Sequence, residues 1–368
     1  MRLLKIILPL MLLALAGCSS PRSSTPVTSA AKRVYSGTAS VGDFLTITLD
    51  ASAQTISYTD LSNGDTGVVP YTVNSDGTYT LSDPAGNLIA AYEVPNYALL
   101  VQAAKTGAGH DAPALITAVE SGQISEATFA GHAYNYMQFR TAAGGLEVGS
   151  VSISAKGVGS NSSYWPFGAL NQSGGTFHTG TVDVSQAQED SSGTYMTIPD
   201  QNGNEDYIFG TANGIFAVDT PNGAILGLQK AASKDFDPVF AGTYKAIYFQ
   251  KTRASTGQGN VETGAPSLGN ATLAVSSSGQ VTVSNAHGMQ IVQATLTPVA
   301  DASYLYGSAG KLQDPCYGVF TFRVTTARSQ QDVFVTFMNN ALLFSWFKAN
   351  LPWSASGTYN YLYGVGLR

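Results

Sequence analysis

Charged side chains are scarce in this chain of 368 residues. Asp, Glu, Lys and Arg together make up 11 % of it, less than half of the ~25 % typical of globular proteins. Acidic residues outnumber basic ones by 24 to 18, so the formal net charge is −6. An acidic chain lacks the positive patches that bind phosphate backbones, and we therefore expect no nucleic-acid partner.

Residues with strong catalytic or metal-binding chemistry are also few. The chain has 2 Cys and 4 His, and no two His are spaced as paired metal ligands. It contains no G-x-S-x-G pentad, no Walker loop and no dinucleotide fingerprint. We therefore predict no catalytic residues and no cofactor, and favour a protein that is not an enzyme. A hydrolase whose acidic residues are distant in sequence remains an alternative.

The only long apolar run lies at the N-terminus. Arg2 and Lys5 precede and flank it, and Leu15-Ala16-Gly17-Cys18 follows it. The run is about half of the ~20 residues that a membrane-spanning helix needs, and small residues at its end are typical of a signal-peptide cleavage site. The tetrad resembles the lipobox of bacterial lipoproteins. This resemblance implies cleavage between Gly17 and Cys18, acylation of the Cys18 thiol, and a mature chain attached to the membrane through that lipid.

The residue after Cys18 bears on the location of the protein. It is Ser19, whereas an Asp at this position retains the best-studied lipoproteins in the inner membrane. The resemblance therefore implies the cell envelope, with sorting to the outer membrane. Cleavage would also remove two basic residues and change the net charge from −6 to −8. Cys316 would then lack a second free thiol, so we expect no intramolecular disulfide.

The body of the sequence reads as β-strands. Apolar and polar residues alternate over short runs such as 44–49 and 272–275, and β-branched and aromatic residues dominate them. Turn-forming clusters such as 62–65 and 74–77 separate these runs. We predict an all-β fold of antiparallel strands, about twenty in number.

Two short motifs recur in the same order, which suggests three weakly similar repeats. An opening motif begins at Tyr35, Phe129 and Phe240, and a closing motif begins at Asn96, Asn213 and Asn340. Each repeat would form one antiparallel unit, either a small barrel or a sandwich. The sequence leaves these two architectures open.

The repeats divide the chain into seven segments. These are a signal peptide (1–17), a Ser/Thr/Pro-rich flexible tether (18–33), β unit 1 (34–105), a connector (106–127), β unit 2 (128–230), a linker (231–238) and β unit 3 (239–368). The connector carries the one predicted helix, near 111–121. Asp111 can cap its start, Pro113 suits its first turn, and Gly122 follows its last apolar residue.

An aromatic cluster is the candidate ligand-binding site. Tyr164, Trp165 and Phe167 lie in a stretch rich in Ser and Asn, which we predict to be a loop. Exposed rings on a β scaffold can stack on sugars or enter the pocket of a partner.

An acidic turn contains the candidate ligands for a hard cation, which are Asp200, Asn202, Asn204 and Asp206. The glycine at position 203 is out of place for an EF-hand loop, and no Glu occupies the twelfth position. The pattern therefore favours a plain turn, and no metal is predicted.

These observations together predict a lipid-anchored envelope protein with a non-catalytic binding or structural role. Its expected partners are the membrane, through the Cys18 lipid, and an envelope protein or a glycan. The first alternative is a glycan- or small-ligand-binding β module that uses the aromatic cluster or a barrel mouth. The second alternative is the envelope hydrolase named above.

Overall fold

Strands account for nearly all the regular structure of the protein. The computed structural model describes residues 32–82, 88–103, 113–140, 146–165, 176–199, 203–211, 214–221, 223–256, 259–262, 266–301, 317–325, 330–348 and 357–368. Within these ranges 27 strands form three antiparallel sheets, which confirms the predicted all-β fold. The described part of the chain holds no helix with the length and apolarity needed to cross a membrane.

The first sheet is a closed barrel, which we call barrel 1. Its strands are β1 (Lys32–Ala39), β2 (Phe44–Asp50), β3 (Thr55–Asp60), β4 (Thr66–Val73), β5 (Thr78–Ser82), β6 (Leu88–Val94), β7 (Ala98–Ala103) and β8 (Ala114–Glu120). Each strand pairs with the next, and β8 returns to pair with β1, where Tyr35 lies opposite Glu120. Closure leaves no free sheet edge.

The second sheet, sheet 2, is a meander whose first and last strands pair. Its strands are β9 (Ala133–Arg140), β10 (Leu146–Ile153), β11 (Val158–Trp165), β12 (Thr176–Asp183), β13 (Gln188–Glu189), β14 (Met196–Pro199), β15 (Glu205–Gly210), β16 (Ile215–Thr220) and β17 (Gly223–Gln229). β9 pairs with β17, so the sheet curls into a barrel-like shape with β12 and β13 at its two ends. A 3₁₀ turn, Val184–Gln186, connects those two strands.

The third sheet, sheet 3, repeats this plan on longer strands. Its strands are β18 (Gly242–Thr256), β19 (Gly259–Glu262), β20 (Ser267–Val275), β21 (Gln280–Asn285), β22 (Gln290–Thr295), β23 (Thr297–Pro298), β24 (Val319–Thr325), β25 (Gln330–Met338), β26 (Ala341–Lys348) and β27 (Gly357–Leu367). β18 pairs with β27, the sheet ends at β22 and β23, and β19 pairs only with the end of β18. Two further 3₁₀ turns are Pro238–Phe240 and Val299–Asp301.

The helix predicted near 111–121 is wrong in position. Residues Ala114–Glu120 form β8, and α1, the one α-helix in the described ranges, is Glu126–Phe129. β8 is buried on both faces and pairs with both β1 and β7. A strand buried on both sides needs a continuous apolar run, which periodicity cannot distinguish from a short buried helix. The backbone hydrogen bonds to β1 and β7 therefore stabilise a strand here more than capping by Asp111 would stabilise a helix.

The predicted tether extends too far by two residues. Lys32 and Arg33 belong to β1, and the Arg33 side chain lies inside barrel 1 with a relative exposure of 7 %. The sequence analysis treated them as part of a polar segment. The pairing of both residues with β2 and a buried partner for Arg33 account for their inclusion in the strand.

The closing motif occupies an equivalent place in all three sheets. It forms the hairpin turn that leads into the next-to-last strand, which is β7, β16 or β26. The turn residues Asn96, Gly214 and Asn339 have φ values of 57°, 84° and 43°. Asn and Gly tolerate this left-handed region better than other residues, so each of the three hairpins has one of them at or next to the start of the motif.

An apolar core continues from sheet 2 into its two neighbours. The ring of Phe44, from barrel 1, stacks on Tyr207 of sheet 2 at a centroid distance of 4.8 Å. Phe139 of sheet 2 lies 5.0 Å from both Phe249 and Tyr363 of sheet 3. These residues belong to one contiguous buried cluster, so the three sheets pack as parts of a single body.

Candidate functional site

A buried ion pair occupies the interior of barrel 1. Arg33 Nε lies 2.5 Å from Glu93 Oε1 and Arg33 Nη2 lies 2.7 Å from Glu93 Oε2. Tyr79 donates its hydroxyl to Glu93 Oε2 at 2.6 Å, and Tyr35 donates to Glu93 Oε1. The two charged side chains are 6 % and 0 % exposed. Together with the apolar residues around them, they fill this part of the barrel with side chains.

The contacts with Glu93 and burial shift the pKa values of Arg33, Tyr35 and Tyr79. The hydrogen bond to Glu93 raises the pKa of Arg33, and burial followed by the contact with Glu93 raises the pKa of Tyr35. Burial likewise raises the pKa of Tyr79. The arginine therefore stays charged and both hydroxyls keep their protons near neutral pH, so these three groups can act as part of a fixed polar core.

Three buried carboxylates lie where barrel 1 meets sheet 2. Asp43, Asp60 and Asp219 are 1 %, 0 % and 2 % exposed, and Thr38 donates a hydrogen bond of 2.5 Å to Asp219 Oδ1. Burial and the charge of Asp43 raise the pKa of Asp60 to about 6. Burial chiefly raises the pKa of Asp219. Asp60 and Asp219 therefore favour the neutral form more strongly than a solvated Asp does.

These carboxylates do not present an active site to solvent. The hydrolase alternative needs two carboxyl groups that face each other across an open cleft, and these three lie within a packed contact between sheets. Within the described ranges, no group of three or more His, Cys, Asp or Glu is placed to hold a metal ion.

An open polar cleft lies between barrel 1 and sheet 3, and we call it the inter-sheet cleft. Its volume is about 180 Å³. One wall comes from β5, β6 and the turn before β5, and the other comes from β18, β20 and the turn after β21. The residues that line it are Asp76, Thr78, Ala90, Ala91, Tyr92, Lys245, Ala246, Ile247, Asn270, Ala271, Thr272 and Ala286.

An ion pair spans the cleft and holds its two walls together. Lys245 Nζ lies 3.0 Å from Asp76 Oδ2 and also donates to the Asp76 carbonyl oxygen. The same ammonium group lies 5.3 Å from the centroid of the Tyr92 ring, within range of a cation–π contact. Hydrogen bonds from Thr78, with Lys245 contributing, lower the pKa of Asp76 to about 2. Asp76 is therefore ionised at neutral pH and balances the charge of Lys245.

A chain of amide hydrogen bonds fixes the orientation of one polar side chain in the cleft. The backbone N–H of Ala90 donates to Gln102 Oε1 at 3.2 Å, and Gln102 Nε2 donates to Asn270 Oδ1 at 2.7 Å. The second of these bonds joins barrel 1 to sheet 3. Gln102 occupies one lone pair of Asn270 Oδ1, so Asn270 can offer a ligand its donor Nδ2 and the second lone pair of Oδ1.

The predicted aromatic cluster is not in a loop as expected. Tyr164 and Trp165 are the last two residues of β11, where Tyr164 pairs with Val148 on one side and Phe177 on the other. Phe167 lies outside the described residues. The loop prediction was wrong because the polar residues around the rings are mostly Ser, which a strand with two paired neighbours accommodates, and because aromatic residues themselves favour strands.

The other predicted site residues are only partly described. Asp200 and Asn202 fall outside the described ranges, as do Gly17 and Cys18. Asn204 lies next to Gly203, whose φ of 83° suits a turn, and Asp206 pairs with Ile198 within the β14–β15 ladder. The plain turn without a metal therefore stays a prediction.

The sequence analysis missed the residues of the inter-sheet cleft. Tyr92, Lys245 and Asn270 come from three separate strands and belong to no common motif. One local signal was available for barrel 1, since Glu93 is the one charged residue in the apolar strand β6 and so indicated a buried partner. The described residues form a three-sheet β protein with a cleft between barrel 1 and sheet 3.

Comparisons with known proteins add distant structural similarities. No family model and no curated protein matches the chain. It is similar to a crystal structure of a double mutant of the vaccine antigen transferrin binding protein B from Haemophilus parasuis Hp5, with 9 % identity and a TM-score of 0.28 over 92 % of this chain and 77 % of that one. It is also similar to isotype 1 transferrin binding protein B from serogroup B Neisseria meningitidis, with 10 % identity and a TM-score of 0.23 over 89 % and 66 % of the two chains. At these TM-scores neither similarity assigns a function to this chain.

Proposed function

We propose that this protein is a lipid-anchored envelope protein that binds a ligand or partner without catalysing a reaction. The observation that carries the binding role is the inter-sheet cleft, where fixed polar groups from two packed sheets face open solvent. A site of this kind can recognise a ligand with little rearrangement, because its groups are held in place before binding.

The N-terminal sequence supports the location. The apolar run that ends in Leu15-Ala16-Gly17-Cys18 supports cleavage before Cys18 and acylation of its thiol. Ser19 supports sorting to the outer membrane. The Ser/Thr/Pro-rich segment that follows would act as a tether with a mean reach of ~20 Å. The sheets would then meet their partners close to the membrane surface.

The filled interior of barrel 1 supports binding on the outside of this barrel. Its lumen holds the Arg33–Glu93 pair and packed apolar side chains, which fill the space around these residues. The outer wall of the barrel, by contrast, carries Tyr92 and the turn around Asp76, both part of the inter-sheet cleft.

Photo-crosslinking in living cells tests the binding role together with the anchor. A photoreactive residue replaces Ala286, which is exposed at the rim of the cleft, and a control chain carries the same residue at the exposed Val158 of sheet 2. Each chain is expressed with Cys18 intact, with Cys18→Ala, and with Cys316→Ala as the matched cysteine control. We expect an adduct from position 286 that survives Cys316→Ala and is lost with Cys18→Ala.

Two results would contradict this function. Equal adducts from positions 286 and 158 would show that the cleft has no special role in binding. An adduct that persists unchanged in the Cys18→Ala chain would show that binding does not need the membrane anchor.

A further inference from the structure

We infer that the inter-sheet cleft is a site for one neutral sugar ring. The outer wall of barrel 1 and the outer face of sheet 3 would contact this ring from two sides. This inference rests on the proposed binding function and names the chemical class of the ligand. It depends on three properties of the cleft, which are its size, its balanced charge, and the combination of an aromatic ring with directed hydrogen-bonding groups.

The size of the cleft limits the ligand to one small ring. A volume of about 180 Å³ corresponds to about six water molecules at the density of the liquid. It is well below the ~300 Å³ at which sites for drug-sized ligands begin. Ala90 and Ala91 line one wall and Ala246 and Ala271 line the other, so no large side chain enters the cleft from these four positions.

The charges of the cleft favour a neutral ligand that both donates and accepts hydrogen bonds. The Lys245 ammonium group is already paired with the Asp76 carboxylate at 3.0 Å. An added anion would meet Asp76, which is 58 % exposed at its side chain, and an added cation would meet Lys245. A hydroxyl group avoids both penalties, since it can donate to the carboxylate and accept from the ammonium group. Neighbouring hydroxyls on a sugar ring match such an adjacent pair.

The remaining groups match the two faces of a sugar ring. The half-buried ring of Tyr92 provides apolar surface on the wall of barrel 1, against which the C–H face of a pyranose can pack. Asn270 offers Nδ2 from a side chain already held by Gln102. Thr272 lies beside Lys245 in the β18–β20 ladder, and its hydroxyl can donate or accept. The cleft therefore combines one apolar contact area with at least four polar groups at its edge.

Titration of the full-length lipidated protein tests this inference directly. The protein is held in a zwitterionic alkyl detergent, because detergents with sugar headgroups would compete. Saturation-transfer NMR follows methyl β-glucopyranoside and its neutral N-acetylamino analogue, with glucuronate and protonated glucosamine as charged probes. We expect saturable binding of a neutral probe with a dissociation constant on the order of 1 mM, as suits one small ring, and at least about tenfold weaker binding of both charged probes.

Variants locate the binding within the cleft. Tyr92→Leu removes the ring and keeps apolar bulk, and Asn270→Ala removes the directed donor; each should weaken binding by about tenfold. Lys245→Met should also weaken binding, whereas the matched control Lys156→Met, on an exposed turn of sheet 2, should leave it unchanged. Near-UV circular dichroism verifies that each variant keeps its fold.

The outcomes separate this inference from the proposed function. Absence of saturable binding of either neutral probe to the unmodified protein would overturn the sugar assignment, as would equal binding of neutral and charged probes. If that failure accompanied anchor-dependent crosslinks from position 286, the binding function would stand and only the ligand class would be wrong. Sugar binding without anchor-dependent crosslinks would instead support the site and contradict the anchored function.

Discussion

The ion pair inside barrel 1 gives the sharpest prediction about stability. Glu93→Gln would remove a negative charge while keeping the size of the side chain and one acceptor oxygen for the tyrosine hydroxyls. Arg33 would then be a positive charge with a 6 % exposed side chain and without its bidentate partner. Breaking a buried pair by removing one partner costs about 3–5 kcal/mol. We expect the lower end, about 3 kcal/mol, because the glutamine still accepts hydrogen bonds.

A second variant tests the cause of this loss. In the double variant Arg33→Met/Glu93→Gln neither of these two positions carries a charge, since Met fills much of the arginine volume without one. Replacing buried ion pairs by uncharged residues of similar volume is often neutral or stabilising. We therefore expect the double variant to be more stable than Glu93→Gln alone, by about 2 kcal/mol.

Urea unfolding measures both effects on the full-length protein. The slope with urea should stay constant while the midpoint changes, which indicates a change in stability and not in compactness. Asp301→Asn, which breaks the exposed Lys234–Asp301 pair, is the control and should leave the midpoint unchanged. A double variant less stable than Glu93→Gln would refute the reasoning, because the two losses would then add as independent contacts.

Three further predictions concern the contact between barrel 1 and sheet 2. Gly42→Ala should destabilise the protein by about 3 kcal/mol, as measured by urea unfolding. Gly42 has a φ of 96°, and an added Cβ would lie 2.4 Å from the carbonyl oxygen of Thr220. Unchanged stability would contradict this packing. Asp60 and Asp219 hold a proton more tightly in the folded state than in the unfolded chain, so the free energy of unfolding should fall as pH rises. For Asp60 this fall should occur between about pH 4 and pH 6. Asp219→Asn should therefore raise the unfolding midpoint at pH 7.5 and flatten this dependence, and a lowered midpoint would show that the carboxylate charge is needed. Phe44→Ala should cost about 3–5 kcal/mol and speed amide exchange along β2 and β15, because the ring contacts Tyr207 and Phe209 of β15. Exchange that changes only in β2 would show that the ring does not join the two sheets.

Local patterns predicted much of the fold because sheet structure follows local chemistry closely. The alternating run at 44–49 lies within β2, and the run at 272–275 lies within β20. The turn clusters were also correct, since Gly64 and Gly77 adopt positive φ values of 81° in the turns that flank β4. Alternation and turn chemistry act over a few residues, so a single sequence displays them directly.

The errors arise where tertiary contacts decide the local structure. β8 is buried on both faces, which removes the alternation that would have identified it as a strand. Tyr164 and Trp165 extend β11 because β10 and β12 pair with it on both sides. In both segments the deciding partners are distant strands, which a local pattern does not contain.

The inter-sheet cleft was beyond prediction for the same reason. Lys245 and Tyr92 are about 150 positions apart in the chain and meet only because the outer faces of two sheets pack together. Which faces pack together depends on which face of each sheet is apolar across all of its strands. A motif search finds residues close in sequence, whereas this site consists of residues that are close only in space.

The most direct test of the central claim, that a membrane lipid holds this binding body in the cell envelope, is mass spectrometry of the N-terminal peptide. Digestion of the purified mature protein with trypsin should release residues 18–22, which end at Arg22. The account predicts a peptide that begins at Cys18 and carries the mass of a diacylglyceryl group on its thiol. A mature chain that begins elsewhere, or a Cys18 peptide without lipid, would contradict it.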